Sequence, residues 1–265
     1  MNLVLAATWH PRGEFNRLYR LMQRFKSVYS QLVIVVPSDQ YLDELGLAEV
    51  GLLKNLGEII IFQAEPWSHG RHLALQTALK TNGTHFHYAD LDRLLRWVET
   101  RPKEWQQTCQ AITRADCLII GRTPEAYQTH PEALINTEAI SNMVVAFFLG
   151  GKMDVSAGSK GFSRSAVEYL MEKTSPSGAM GADAEWAITL FNAGFKVDYI
   201  EVDGLGWESA DHYQDKAANT RSRKRAAKLY DKNPVNWARR VEVAYEIVET
   251  ALRTAGSDYA RREKV

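Results

Sequence analysis

Thr84-His85-Phe86-His87-Tyr88-Ala89-Asp90-Leu91-Asp92 is a short β-like run that ends in two carboxylates one residue apart. Residues i and i+2 of an extended segment point the same way. Asp90 and Asp92 are therefore expected to aim at one point, where a strand opens into a loop. Two hard oxygen donors there suit a divalent cation carrying a phosphorylated ligand. The competing reading makes Asp92 the N-cap of a short helix over residues 93–99.

Upstream of this run, strand and helix alternate. Leu3-Val4-Leu5-Ala6-Ala7 reads as a buried strand, and residues 14–29 carry Phe15, Leu18, Leu21, Met22 and Phe25 at helical spacing. Leu32-Val33-Ile34-Val35-Val36, stopped by Pro37, is a second strand. A helix over 41–56, the strand Ile59-Ile60-Ile61-Phe62 and a helix over 71–80 follow. The strand into Asp90 is the fourth. Such alternation predicts βαβ units and an α/β fold with a largely parallel sheet. Ligands of such sheets sit at the carboxyl ends of the strands, where Thr8, Ser38, Glu65 and Asp90 stand.

The second half is less regular. Residues 116–121 read as a strand and 138–149 as a helix with Ile140, Met143, Val144, Phe147 and Phe148 on its apolar side. A glycine-punctuated loop over 150–161 follows. Residues 183–193 form a helix closed by Gly194, and 195–202 alternate as a strand. From 214 onward the pattern is helical, and the last helix starts near Pro234. Its stripe of Trp237, Val241, Tyr245, Val248 and Leu252 permits a homodimer contact, with packing on its own core as the default. We divide the chain into a domain over 1–213 and a C-terminal helical extension over 214–265, with 261–265 expected to fray. The basic run Arg221-Ser222-Arg223-Lys224-Arg225 reads as a solvated helix face, or else as a flap over a diphosphate.

The totals narrow the classes. The chain has 265 residues, 45% of them hydrophobic, enough for a large core. Lys plus Arg equals Asp plus Glu at 32 each, so the basic excess of a nucleic-acid binder is missing. Cys109 and Cys117 are too few for a disulfide framework and read as reduced thiols. The apolar start, residues 1–7, lacks a basic leader and stops at Trp9-His10-Pro11-Arg12, unlike a signal peptide. The later apolar stretch, 143–149, is too short to span a bilayer. The expectation is a soluble, cytoplasmic protein without a transmembrane segment, with peripheral membrane contact left open.

Other residues bear on chemistry. Gly70-Arg71 precedes the helix leading into the acidic strand, and arginine forks onto a phosphate or locks a carboxylate. Asp183, at a helix start, is either an N-cap or a general base for a hydroxyl acceptor. Trp207-Glu208-Ser209-Ala210-Asp211-His212-Tyr213 mixes an aromatic platform, carboxylates and an imidazole. Trp207 is expected to pack on a sugar face with Glu208 beside it, and His212 to complete a metal site or stay a solvated loop residue. Asp154 is a candidate for acceptor hydroxyls, or plain turn chemistry. His69, His72, His85 and His87 lack zinc-site spacing.

Taken in order, these segments resemble the GT-A nucleotide-sugar glycosyltransferases, particularly the large inverting family of that fold, over residues 1–213. Thr8-Trp9-His10-Pro11-Arg12-Gly13-Glu14 looks like the family's first strand exit, and the resemblance implies nucleotide-sugar contacts at Thr8, Trp9 and Glu14. Val35-Val36-Pro37-Ser38-Asp39 is similar to the second exit and implies contacts at Ser38 and Asp39. Gly70-Arg71 and Asp90-Leu91-Asp92 resemble the path into the metal-binding carboxylates, implying a donor role for Arg71 and Asp90. Asp183, with Gly194 and an aromatic-rich strand beyond it, looks like the motif that carries the catalytic base. The family's Glu-Asp is Ala182-Asp183 here, and Arg93-Leu94-Leu95 follows the acidic pair instead of further acids. His212 also lies further beyond the last strand than the family's usual third metal ligand, although some retaining GT-A enzymes have a histidine there.

The resemblance implies a GT-A fold and transfer of a sugar from a UDP- or GDP-linked donor to an acceptor hydroxyl. It implies Mn²⁺ or Mg²⁺ held by Asp92, Asp90 and His212, with Asp183 as base and Asp154, Trp207 and Glu208 on the acceptor side. Two other readings stand beside it. A nucleotidyltransferase shares the sheet but needs a glycine-rich basic loop where this chain has Thr8-Trp9-His10-Pro11. An inert GT-A-like scaffold would associate through the C-terminal helix.

Overall fold

Apolar runs without a polar side make the central strands. β1 (Leu3–Thr8) is buried at every residue and β2 (Gln31–Pro37) at all but its first, as strands covered on both faces must be. With them come α1 (Phe15–Lys26), α2 (Glu44–Lys54), β3 (Ile60–Ala64), α3 (Gly70–Leu79), β4 (His85–Asp90) and α4 (Leu91–Thr100). Then follow α5 (Pro102–Ile112), β5 (Cys117–Arg122), α6 (Pro124–Tyr127), α7 (Glu132–Leu149), β6 (Ser159–Ser163), α8 (Arg164–Lys173), α9 (Ala182–Asn192), β7 (Val197–Val202), α10 (Thr220–Asp231) and α11 (Pro234–Thr254). The computed structural model describes residues 2–176, 178 and 180–256; the expectation for 261–265 lies outside the described residues.

Among the described residues one sheet of seven strands runs in the order β3-β2-β1-β4-β6-β5-β7. β6 is antiparallel to both β4 and β5, and the other neighbours are parallel. Alternate residues of the strands feed opposite layers. Leu5, Ile34 and Ile120 join Phe25, Trp97 and Trp105 on one face; Val4, Val35 and Ile119 join Leu75, Trp186 and Ile247 on the other.

β6 begins within the segment expected to be a loop, over 150–161, and runs two residues past it. Its Ser-Lys-Gly-Phe-Ser sequence has little strand preference of its own, and the strands on either side supply the hydrogen bonds that hold it extended. α5 and α8 were not anticipated, and α7 begins earlier than expected.

The last helix packs through a face next to its predicted stripe, of which Trp237, Val248 and Leu252 are half-buried. Ala244, Ile247, Thr250 and Ala251 are buried against α7 and α9, while Val241 and Tyr245 are exposed. Small residues let α11 approach its neighbours closely, a packing advantage that outweighs the bulk of the aromatic stripe. α7 is long and apolar enough to cross a membrane by composition alone, 18 residues at mean hydropathy 1.2. One of its faces is packed in the fold through Leu134, Val145 and Leu149, and Ile140, Met143 and Phe147 face outward.

Candidate functional site

β1 and β4 end level with each other, Thr8 opposite Asp90. Asp90 Oδ1 accepts from Tyr88 OH at 2.7 Å and Thr8 Oγ1 at 3.2 Å, and Oδ2 accepts from Arg71 Nη2 at 3.1 Å. The chain turns helical directly after Asp90. Asp92 therefore sits in the first turn of α4, not on an extended continuation, and the expected i, i+2 alignment of the two carboxylates does not form. Both still line one cleft of about 170 Å³, together with Arg12, Arg71, Arg93 and Glu208. A carboxylate in a first helical turn is favoured by the helix dipole. Asp92 Oδ1 accepts from Arg93 N at 2.8 Å, which leaves Oδ2 facing His212 Nε2 at 3.8 Å.

His212 reaches this point because the loop carrying it is pinned on both sides. Asp211 is buried and accepts from Arg96 Nη1 at 2.6 Å, Arg17 Nη2 at 3.3 Å and Ala218 N at 2.8 Å. Tyr213 N donates to Arg12 O at 2.8 Å. That approach needs Gly13, whose φ is +87° and whose missing Cβ would press on the Tyr213 backbone. On its other side His212 Nε2 lies 3.8 Å from Glu14 Oε1. Glu14 is buried, its Oε2 accepting from Arg12 N at 2.6 Å and Trp9 Nε1 at 3.3 Å. Both Glu14 Oε1 and His212 Nε2 are buried without a hydrogen-bond partner. Burial pulls the imidazole pKa down, but the Asp92 and Glu14 carboxylates outweigh it and leave it raised. Burial, reinforced by Asp92, raises the Glu14 carboxyl against the opposing Arg12 N–H bond.

Behind the cleft, Arg71 joins two carboxylates. Its Nη2 binds Asp90, and its Nη1 lies 2.9 Å from Asp183 Oδ2. Lys160 Nζ, fully buried on β6, donates to Asp183 Oδ1 at 2.7 Å and to Val155 O at 2.9 Å. Burial would raise the Asp183 pKa, but Arg71 and Lys160 outweigh it and hold it at about 2. Asp183 is 3% exposed and does not line the cleft. Gly158 closes this wall: its φ is +69°, and a Cβ there would collide with Asp90 Oδ2.

The remaining predicted residues divide. Glu208 lines the cleft, 3.4 Å from Arg93 Nε, with Oε2 lacking a hydrogen-bond partner. Burial raises its pKa more than Arg93 lowers it. Trp9 does not face the cleft; it is a core residue whose indole N–H serves Glu14, and His10 and Arg12 take the exposed side of this exit. Ser38 and Asp39 lie beyond β2, outside the cleft lining, where Asp39 Oδ1 accepts from Gln63 Nε2 at 2.6 Å. Trp207 offers no platform to an acceptor, because it packs under α10 against Leu134, Ala227 and Tyr230. Asp154 is locked to Arg122, Oδ2 to Nε at 2.7 Å, and lines a different cavity. Arg93 and Lys160 were missed. Lys160 sits in the run read as loop, and only the alternation Ser159-Lys160-Gly161-Phe162 hints at a strand. Both cysteines are free and buried.

The sheet order, the reversed sixth strand and an acidic exit from β4 beside the end of β1 define a GT-A architecture. The fold is similar to that of glucosyl-3-phosphoglycerate synthase from Mycobacterium tuberculosis, solved in complex with uridine diphosphate. The TM-score is 0.53 at 11% identity, covering 97% of this chain and 80% of that one. A mannosyltransferase from Pyrobaculum calidifontis, solved with GDP-Man and Mn²⁺, matches at TM-score 0.41 and 11% identity over 99% of this chain and 79% of that one. The first likeness establishes the fold alone, and the second is too distant to carry an argument. No protein-family model matches the chain, and no curated protein matches it in sequence.

Among the described residues no three His, Cys, Asp or Glu side chains form a ready-made metal site. The donor set is still suited to a divalent cation. Asp92 Oδ2 faces the unpartnered His212 Nε2, and a cation of this kind needs only one or two protein ligands when phosphate oxygens and water supply the rest.

Proposed function

We propose that the protein is a metal-dependent glycosyltransferase that moves a sugar from a UDP- or GDP-linked donor to an acceptor hydroxyl. One observation carries the reading: residues 120 positions apart, Asp92 and His212, meet at 3.8 Å in the strand-end cleft of a GT-A sheet. Asp92 Oδ2 and His212 Nε2 would hold Mn²⁺ or Mg²⁺, which neutralises charge on a departing diphosphate. Arg12 and Arg93 bind the diphosphate oxygens from the cleft wall. Arg71, held by Asp90 and Asp183, presents a fixed positive charge behind them. The nucleoside extends towards Ser38 and Asp39 at the neighbouring strand end.

The acceptor proton needs a base that faces the cleft. Glu208 does so, with a raised pKa and an Oε2 that takes no hydrogen bond and is held only by the Arg93 ion pair at 3.4 Å. Asp183, the base expected from the resemblance, has both oxygens taken by cations and a pKa of about 2. We assign it to positioning Arg71 and Lys160.

Calorimetry with UDP and with GDP, with and without Mn²⁺, tests the reading. Asp92→Ala and His212→Ala should each weaken metal-dependent binding by at least about tenfold. Glu208→Gln should keep nucleotide affinity and lose transfer. Equal affinity in Asp92→Ala and wild type would remove the metal role. Pyrophosphate release from a nucleoside triphosphate would point instead to a nucleotidyltransferase.

A further inference from the structure

Beyond the cleft lies a second and larger cavity, about 510 Å³, within the size range of small-molecule sites. Its walls come from α7 (Met143, Ala146), α6 (Pro124, Tyr127), Met153 and Tyr199. We infer that this cavity receives the uncharged, apolar body of the acceptor, a hydroxyl-bearing molecule with an aliphatic or aromatic skeleton. The word acceptor rests on the glycosyltransferase reading; the apolar specificity does not.

The inner polar groups of the cavity are already spent on one another, while Gln128 and Lys152 stand at its rim, Lys152 84% exposed and 3.7 Å from Glu201. Arg122 Nε and Nη2 donate to Asp154 at 2.7 and 2.8 Å, Nη2 also donates to Glu138 at 2.7 Å, and Nη1 lies 3.1 Å from His130 Nε2. The Arg122 guanidinium also lies 4.4 Å from the Tyr127 ring centre. Asn142 Nδ2 donates to Asp154 Oδ1, and its Oδ1 accepts from Val155 N and Ser156 Oγ. Tyr127 OH donates to Ile135 O, and Tyr199 OH to Glu201. A phosphate or carboxylate entering here finds the inner cation, Arg122, matched by Asp154 and Glu138, and the rim cation, Lys152, solvated and beside Glu201. A sugar finds few unclaimed donors. An apolar body loses no hydrogen bond and gains by leaving water.

The cavity is also close to the donor cleft. Asp154, on its floor, is two residues from Ser156, whose carbonyl accepts from Arg93 Nη1 at 2.9 Å. Arg93 lines the cleft. Two residues span at most ~7 Å, so the cavity and the donor cleft are joined through one short segment, Asp154 to Ser156, and the Arg93 side chain bound to it. At the other end Met143, 67% exposed, continues into Ile140 and Phe147 on the outer face of α7.

Nile red, an uncharged apolar fluorophore, tests the assignment by titration into the full chain. The expected result is saturable binding, weakened at least about tenfold when Ala146→Trp fills the cavity. Met143→Asp, a change at an exposed position that leaves the core alone, should weaken it as well. Decanol should displace the dye and phosphoglycerate should not. Calorimetry with UDP and Mn²⁺ should give wild-type affinity in both variants. Unchanged dye affinity in both variants, or displacement by phosphoglycerate as readily as by decanol, overturns the assignment while nucleotide binding stands. A dimer in sedimentation that Ala146→Trp abolishes gives the cavity to a second copy and also overturns it. Absence of nucleotide binding from every protein, with dye binding following the variants, removes the glycosyltransferase reading and leaves the apolar site.

Discussion

Asp183 shows how much a single carboxylate's role depends on its neighbours. Its position at the start of α9 suits an N-cap or a base, yet two buried cations convert it into an anchor. Arg71 and Lys160 hold its folded pKa at about 2, below the ordinary aspartate value. The resulting stabilisation, about 2 kcal/mol, is complete above the unfolded value and is lost as pH falls through about 2. Asp183→Asn leaves Arg71 and Lys160 facing a neutral group, and removing one partner of a buried pair costs about 3–5 kcal/mol. Urea denaturation should show this deficit at pH 7 and a narrowing gap between wild type and variant towards pH 2. A constant gap across that range would mean that folding does not shift the Asp183 pKa, and a widening gap that the folded carboxyl holds a proton. At this scale the sequence was partly legible. Asp92, Arg71 and Glu208 line one cleft, with His212 against Asp92 and Glu14 against His212. Trp9 was misassigned because composition names the residues of a strand exit without saying which of two neighbours turns inward. Asp154 and Trp207 were misassigned because Arg122, Leu134 and Tyr230, which claim them, are distant in sequence.

Among the elements, those with their own periodicity were readable and those shaped by neighbours were not. β1, β2 and α1 carry apolar patterns that need no context. β6 is a strand only because β4 and β5 flank it, so the residue that neutralises Asp183 was hidden in an apparent loop. α11 is the opposite case. Its aromatic stripe is conspicuous, yet the helix packs through its small residues. Ile247→Ala should cost about 2–5 kcal/mol, the range for emptying a core position. Tyr245→Ala, on the exposed stripe, should stay within about 0.5 kcal/mol. Chemical denaturation of the two variants separates the faces, and a larger loss for Tyr245→Ala would restore the stripe to the interior.

On the scale of the whole molecule, alternating strands and helices foretold an α/β fold with a largely parallel sheet, but not where the chain doubles back. The cleft is assembled from both sides of that reversal. Thr8, Arg71 and Asp92 line it from the first half; Glu208 lines it from the second, where His212 flanks Asp92 and Lys160 backs the wall. A shortened chain ending at residue 150 should therefore show no Mn²⁺-dependent nucleotide affinity by calorimetry, and it should sediment as aggregate. Recovery of a monomeric, nucleotide-binding fragment would contradict this dependence.

β6 also has a bearing on synthesis. A chain that emerges from its N-terminus can pair β1 to β4 early, but one edge of β4 then waits open for the residues up to Ser163. That edge carries Phe86 and Tyr88, both fully buried in the finished protein, and an open apolar edge invites pairing with other chains. The reversed strand caps the edge and sets Lys160 in place for Asp183, which emerges later in the chain. The strand that ends the exposure of that edge is thus also the one on which the wall behind the cleft is later closed.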